Sequence, residues 1–168
     1  MSNLIDDETD YLELKEVRSS SGNWYAIRKA VPHDFATILE LIKEFARFQN
    51  TPQHVGISLE QLQKDERHFK AFVAETSDGS IVAFVSYFYC YYSWSGRAIY
   101  LDDLYVQPEY RAQGIGTALL DKIIEAGRTS GCRKVRWQVS NWNRNAIAFY
   151  KKFGATIDDV EINCDLRL

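Results

Sequence analysis

The stretch Ile99–Thr117, which reads IYLDDLYVQPEYRAQGIGT, limits the possible folds of this chain more than any other segment. Ile99–Val106 has the alternation of a strand, and the loop Arg111–Thr117 leads into a helix. The two glycines of the loop allow the backbone to come close to a ligand, because they have no side chain. Free N–H groups at the start of the helix suit a phosphate or pyrophosphate, and Arg111 adds a cation. The segment therefore predicts a strand, an anion-binding loop and a helix.

Two common glycine motifs do not fit this loop. The dinucleotide fingerprint needs a third glycine where Leu119 stands, and the P-loop needs four residues between its glycines, followed by Lys and Ser or Thr. One alternative is a turn and a helix start that bind nothing. The order of a strand with two acids, an Arg-x-x-Gly-x-Gly loop and a helix favours a ligand site over that alternative.

Hydrophobic periodicity along the rest of the chain predicts a mixed α/β fold. The predicted elements are the strand Trp24–Lys29, the helix His33–Phe48, a short helix opened by Ser58 with Gln61 in a capping box, the strands Phe69–Glu75 and Ile81–Tyr92 around an Asp78-Gly79 turn, the helix Ile115–Ser130, the strand Val135–Val139, the helix Asn145–Phe153 and closing strands within Ile157–Leu168. We expect residues 1–22 to be a mobile extension and residues 23–168 to form a single domain.

Composition and charge exclude several classes of function. The net charge of −3 argues against general nucleic-acid binding. The longest apolar run, Ile81–Tyr92, is too short for a membrane span, and the acidic start of the chain lacks the apolar core of a signal peptide. Three scattered cysteines fit a reducing compartment, and three scattered histidines give no metal-ligand spacing. We therefore expect a cytoplasmic protein without a metal site.

Four pieces of the chain resemble a known family of enzymes. Arg111–Thr117 is similar to the acetyl-CoA pyrophosphate loop of the GNAT superfamily of N-acetyltransferases. Tyr100–Val106, Trp142-Asn143 and Asn145–Ala155 resemble the diamine (spermidine/spermine) acetyltransferases and their thialysine-acetylating relatives. The resemblance implies the GNAT fold, a mixed and mostly antiparallel sheet flanked by helices. It also implies acetyl-CoA as cofactor, a small-molecule amine as substrate and a homodimer.

The resemblance also implies which residues hold acetyl-CoA. Backbone groups of the strand and the loop would contact the pantetheine arm and the pyrophosphate, and residues of the last helix would lie near the cofactor. Asn143 has an alternative role as a helix N-cap, and Lys152 an alternative place on a solvated helix face. The implied cofactor residues are Leu104, Tyr105, Val106, Arg111, Ala112, Gln113, Gly114, Ile115, Gly116, Thr117, Asn143, Ala146, Tyr150 and Lys152.

Two residues match catalytic positions of the family. Tyr150 would be the general acid, since a phenol with a pKa of roughly 10 stays protonated at neutral pH and can donate to a leaving thiolate. Its alternative role is core packing. Asp102 matches a glutamate of the amine site and would bind the amine and, through water, help to deprotonate it. Adjacent strand residues point to opposite faces, so only one of Asp102 and Asp103 is expected to face the substrate cleft, which leaves Asp103 for a neighbouring loop or the dimer interface.

The resemblance places the amine substrate among Phe48, Gln49, Trp94, Asp102 and Asp103. Diamine acetyltransferases carry an acid where Gln49 stands, and Asp102 is one methylene shorter than their glutamate. These departures favour thialysine or a lysine-like amino acid over a polyamine. Gln49 could equally be a solvated helix end, and Trp94 could pack in the core or a loop. The rival functions are a protein lysine or N-terminal acetyltransferase and a non-catalytic acyl-CoA-binding module.

Overall fold

The computed structural model describes residues 14–19, 22–160, 164 and 166, and it divides the chain into two compact units, the first ending at Trp137 and the second beginning at Gln138. The strands of the first unit are β1 (Lys15–Arg18), β2 (Trp24–Lys29), β3 (Lys70–Thr76), β4 (Ile81–Tyr92), β5 (Gly96–Val106) and β6 (Lys134–Arg136). Its helices are α1 (Phe35–Phe48), α2 (Leu59–Lys64) and α3 (Ile115–Thr129), and α4 (Arg144–Lys152) lies in the second unit.

The six strands form one sheet in the order β1-β2-β3-β4-β5-β6. Neighbouring strands pair antiparallel except β5 and β6, which pair in parallel. The prediction of a mixed, mostly antiparallel sheet flanked by helices is therefore confirmed. Because α3 connects two parallel neighbours, it crosses over one face of the sheet.

The helices of the first unit bury apolar side chains against the sheet. One core cluster joins α1 and α2 to strand side chains that include Val73, Phe84 and Tyr105. On α3, Leu119, Leu120 and Ile123 are fully buried. Gly127 of α3 packs so closely on Ile99 that a Cβ there would lie 3.6 Å from the Ile99 Cδ1 atom. The burial of these side chains stabilises the unit and holds α3 in place against the sheet.

Several local predictions are confirmed by the backbone. Ser58 caps α2, since its Oγ accepts a hydrogen bond from the Gln61 N–H at 3.1 Å. Gly131 follows α3 with a φ of +66°, and Gly154 follows α4 with a φ of +79°, as expected for residues that end helices. Gly79 takes a φ of +85° in the turn between β3 and β4.

Three predictions about the ends of the fold need correction. Residues 1–22 were assigned to an extension outside the domain, but Lys15–Arg18 pair with β2 in the sheet; residues 1–13, 20 and 21 lie outside the described residues. The strand predicted at Val135–Val139 is shorter and half-buried, at Lys134–Arg136. Residues 157–160 form no strand, and most of the remaining segment predicted to close the sheet lies outside the described residues.

Candidate active site

A β-bulge interrupts the pairing of β4 and β5 at the two adjacent acids. Tyr87 pairs with Leu101 and Val85 pairs with Leu104, so Ser86 alone faces two residues of β5. The Asp103 N–H donates to the Ser86 Oγ at 3.2 Å. The isolated serine in an otherwise apolar run is therefore the partner of the bulge, a role that the sequence analysis missed.

The bulge puts both carboxylates on the same face of the sheet. Leu101 and Leu104 share one face, because their partners on β4 are two residues apart. Asp102 follows Leu101 and Asp103 precedes Leu104, so both acids point to the opposite face. The expectation that only one of them faces the cleft is wrong, because the extra residue cancels the alternation. This face is the one that carries Tyr105 and packs against α1.

The surroundings of both acids raise their pKa values, and Asp102 adds to the shift of Asp103. Asp102 is exposed, yet protein atoms around its carboxyl group displace water and raise its pKa. Burial, and then repulsion from Asp102, raises the pKa of Asp103 to about 7. The pair can therefore attract a cation and can also take up a proton near neutral pH.

The carboxyl-terminal half of β5 has an open edge. β6 pairs with β5 only at Ala98–Tyr100, and within the described residues no strand pairs with that edge from Leu101 to Val106. An extended backbone with an unpaired edge offers N–H and C=O groups to a ligand. Leu104 and Val106, whose backbones were predicted to contact acetyl-CoA, lie in this part of the strand.

The predicted pyrophosphate loop ends in the start of α3. Ala112 and Gly114 both take a positive φ, at +59° and +86°. Gly114 is the N-cap, no side chain caps this helix, and its first hydrogen bond runs from the Ala118 N–H to the Gly114 C=O at 3.0 Å. The backbone N–H groups of the first turn are thus directed at a site for an anion. Gly116 lies within the helix, so only the first glycine of the pair needs an unusual conformation.

Neighbouring elements hold the loop in place. The Tyr25 hydroxyl of β2 donates to the Gln113 Oε1 at 2.6 Å, and the Gln113 Nε2 donates to the Glu109 C=O at 3.1 Å. A Cβ on Gly114 would lie 3.7 Å from the Val17 Cγ1 of β1. The sequence analysis missed Tyr25 and Val17, because they are close to the loop only after β1 and β2 have paired.

Arg111 connects the loop to α1. Its Nε donates to the Val106 C=O at 2.9 Å, and its guanidinium carbon lies 5.0 Å from the centre of the Phe48 ring and 5.7 Å from that of Tyr105. The structure therefore brings together a predicted cofactor residue and a predicted substrate residue. Gln49 follows as the half-buried C-cap of α1.

Glu44 of α1 is a further residue near the site, because it accepts a hydrogen bond from the Tyr105 hydroxyl. The hydroxyl donates to the Glu44 carboxylate at 3.4 Å, and the Gln107 side chain donates to the same carboxylate at 3.2 and 3.3 Å. Glu44 therefore connects α1 to Tyr105 near the end of β5 and to Gln107, the residue that follows the strand. Nothing in the spacing of α1 distinguishes Glu44 from a solvated acid, so its role could not be predicted from the sequence.

Trp94 lies apart from the bulge. Its side chain is 101% exposed in the turn between β4 and β5. Asp102 is six residues along β5 from the start of that strand, which corresponds to roughly 20 Å. Within one chain the structure therefore does not bring Trp94 to the two carboxylates, and its full exposure also excludes core packing.

The remaining predicted site residues belong to the second unit. Tyr150 lies on α4 and is 7% exposed, with its ring centre 5.2 Å from that of Phe149. The Asn143 side chain accepts a hydrogen bond from the Ala146 N–H at 3.1 Å and so caps α4. Lys152 is exposed in the last turn of the helix. The roles of these residues toward acetyl-CoA stay predictions.

The described part of the chain shows neither a cluster of metal ligands nor a membrane-spanning helix. No group of three or more His, Cys, Asp or Glu side chains within it could hold a metal ion. No helix there is both long enough and apolar enough to cross a membrane. The bulge, the open strand edge and the loop before α3 therefore remain the candidate site.

Comparisons with known proteins agree with this geometry. The sequence model of the Acetyltransferase (GNAT) family matches residues 35–155. A thialysine N-epsilon-acetyltransferase of Mus musculus is 39% identical over 140 residues, which cover 77% of this chain and 82% of that protein. The Homo sapiens spermidine/spermine N(1)-acetyltransferase-like protein 1 is 32% identical over 149 residues, which cover 83% of this chain and 21% of that protein.

Solved structures show the same fold. An aminoglycoside N-acetyltransferase, AAC(6')-Iy, in complex with CoA has a TM-score of 0.70 at 19% identity, and the match covers 88% of this chain and 97% of that one. Acetyltransferases of the GNAT family use acetyl-CoA, and the loop and open strand edge described above fit that cofactor. The predictions of family, fold, enzyme class and cofactor are thus confirmed, and the chain belongs to the GNAT family of N-acetyltransferases.

Proposed function

We propose that this acetyltransferase modifies a primary amine of a small molecule, with thialysine or a lysine-like amino acid preferred to a diamine or polyamine. The observation that carries the proposal is the bulge, which directs Asp102 and Asp103 to one face beside the open edge of β5. Two neighbouring carboxylates favour a cationic substrate. The name of the Mus musculus relative supports the choice of thialysine.

The residues of the first unit fit acetyl-CoA in two places. The start of α3 has Gly114 at the N-cap position and no side chain that caps it, so its first N–H groups are available for the pyrophosphate. The open edge of β5 provides backbone groups of Leu104 and Val106 for the pantetheine arm and the thioester oxygen. When bound, acetyl-CoA supplies the activated acetyl group.

We infer direct transfer within a ternary complex. An N–C bond forms and the thioester C–S bond breaks, so the ammonium must lose one proton and the leaving thiolate must gain one. The Asp102–Asp103 pair accepts the first proton through water, and the pKa of Asp103 near 7 suits this task. Tyr150 donates the second proton. Neither Cys90 nor Cys132 lies in the candidate site, which argues against an acetylated enzyme.

The substrate class is tested by thiol release from acetyl-CoA in the presence of thialysine, lysine, ornithine, putrescine, spermidine and a lysine-containing peptide. Saturable release with thialysine or lysine at the highest kcat/KM supports the proposal. Release with the peptide alone would assign the chain to protein modification instead. Bound acetyl-CoA without release for any amine would favour the non-catalytic alternative.

The role of Tyr150 is tested by Tyr150→Phe. We expect kcat to fall by about 100-fold or more, the usual range for general acid catalysis, while the Kd for acetyl-CoA stays within a few-fold. Tyr89→Phe is the matched control, since it also removes one hydroxyl, which hydrogen-bonds Ser130 at 2.8 Å in the first unit. Equal kcat values for the two variants would contradict the assignment.

The resemblance implies a homodimer, and the scattered cysteines favour a cytoplasmic location; we retain both as proposals. Light scattering during size-exclusion chromatography measures the mass of the particle in solution. A mass of one chain at micromolar concentration would contradict the dimer.

A further inference from the structure

The face that carries the two acids continues along β5 toward its start. Tyr100 lies on this face, since it pairs with Phe88 of β4, and the two rings stack with centres 5.1 Å apart. Phe88 is 43% exposed. The face therefore presents an aromatic surface next to the carboxylates.

A cation lies on the other side of Tyr100. Arg136 of β6 pairs directly with Tyr100, and directly paired residues of neighbouring strands share a face. The electrostatics agree, because burial and the Asp102 carboxylate raise the pKa of Tyr100 whereas Arg136 lowers it. Both charged side chains are thus close enough to act on one phenol.

The spacing of these groups follows from the sheet. Asp102 is two residues from Tyr100, roughly 7 Å along the strand, and Arg136 is one strand away, roughly 5 Å across. The negative pair, the stacked rings and Arg136 therefore share one face, on which the Arg136 guanidinium carbon lies 5.7 Å from the centre of the Tyr92 ring.

We propose that Arg136 binds the α-carboxylate of the amino acid substrate and so selects amino acids over diamines. The inference rests on the proposed function, which places the reacting ammonium at Asp102 and Asp103. Lysine and thialysine carry a carboxylate at the other end of a four-atom chain, and this chain lies along Tyr100, which stands between the acids and Arg136. A guanidinium binds a carboxylate with two parallel hydrogen bonds. A diamine has only an ammonium at that end and lacks the carboxylate that offsets the repulsion between this ammonium and Arg136.

The test compares lysine with cadaverine, which is lysine without its carboxylate. We expect the wild-type chain to have a higher kcat/KM for lysine. Arg136→Gln should lower the ratio of kcat/KM for lysine to that for cadaverine by about 10- to 100-fold, mainly through the KM for lysine, as expected for loss of a charged hydrogen-bonding partner. Arg136→Lys keeps the positive charge but cannot form the two parallel hydrogen bonds of a guanidinium, so it should give an intermediate ratio of the two kcat/KM values.

Lys134→Gln is the matched control. Lys134 lies on the same strand and the same face, and its Nζ lies 3.9 Å from the centre of the Tyr92 ring. Lys134→Gln removes the same charge as Arg136→Gln, but at a position two residues farther along β6 from the acids. We therefore expect the ratio to change less than about threefold, since exposed charges are screened over about 10 Å. The melting temperature of each variant reports whether it folds.

The possible outcomes separate the two proposals. Equal ratios for Arg136→Gln and the wild-type chain, or an equal loss in Lys134→Gln and Arg136→Gln, would overturn the role of Arg136 while amine acetylation stands. A wild-type chain that uses cadaverine as well as lysine would also overturn it. Failure of every small amine would overturn the proposed function and this inference with it.

Discussion

The two halves of β5 differ in almost every physical respect. From Gly96 to Leu101 the strand pairs with β4 on one side and, at Ala98–Tyr100, with β6 on the other, and Ala98 and Ile99 are fully buried. From Asp102 to Val106 it carries the bulge, and no strand among the described residues pairs with its second edge. The first half supplies stability, and the second leaves backbone groups and carboxylates available to ligands. One strand can do both because burial of its first half offsets the cost of desolvating two acids.

The largest expected difference between the two halves of β5 is in how much a substitution lowers the free energy of unfolding. Ile99→Ala should lower the free energy of unfolding by about 2 to 5 kcal/mol, because it leaves a cavity beneath α3. Val106→Ala should cost less, since Val106 is only half-buried. Denaturation by urea measures both variants, and equal losses would mean that the two halves do not differ in this way.

Substitutions in the second half of β5 should affect activity rather than stability. Asp102→Asn should lower kcat/KM for the best amine by about 100-fold, since the amide neither attracts the ammonium nor accepts its proton. The melting temperature should not fall, because Asp102 is exposed. Asp102→Glu keeps the charge and should recover most of the loss. Wild-type activity in Asp102→Asn would remove this residue from the site.

The smallest effect concerns the dependence of stability on pH. The pKa of Asp103 is about 7 in the folded chain and about 3.9 in an unfolded one, so this group lowers stability as the pH rises from about 4 to 7. Asp103→Asn should match the wild-type chain near pH 4 and exceed its free energy of unfolding above pH 7. A shift of three pKa units corresponds to about 4 kcal/mol, and water at this partly exposed group reduces the gain to about 1 to 2 kcal/mol.

Asp78→Asn is a control of opposite sign for that measurement. Hydrogen bonds from Thr76 and Ser80 lower the pKa of the exposed Asp78, so its ionised form contributes stability above its unfolded pKa. Removing that charge should lower the free energy of unfolding at pH 7 and leave it unchanged at low pH. The same sign of effect in both variants would refute the assignment for Asp103.

The difference between the halves also explains what the sequence could predict. The position of the loop Arg111–Thr117 before a helix was predicted correctly, because its glycines, its arginine and the following helix are neighbours in the chain. The bulge was not, because Asp102 and Asp103 fit a regular alternation until Ser86 on another strand is known. Its only local sign is that Leu101 and Leu104, three residues apart, are both apolar. β1 was missed for a similar reason, since four mostly charged residues form a strand only when β2 supplies the partner.

The edge strand β1 has a consequence for any shortened version of this chain. Val17 contacts the position of Gly114, and the Lys15 Nζ lies 3.1 Å from the Asp121 Oδ2 on α3. A version that starts after Arg18 would lose both contacts while every residue of the cofactor loop remained. The polar segment Lys15–Arg18 therefore supports the loop that we propose to bind the pyrophosphate, and we expect its removal to weaken acetyl-CoA binding although it lies almost a hundred residues away in the sequence.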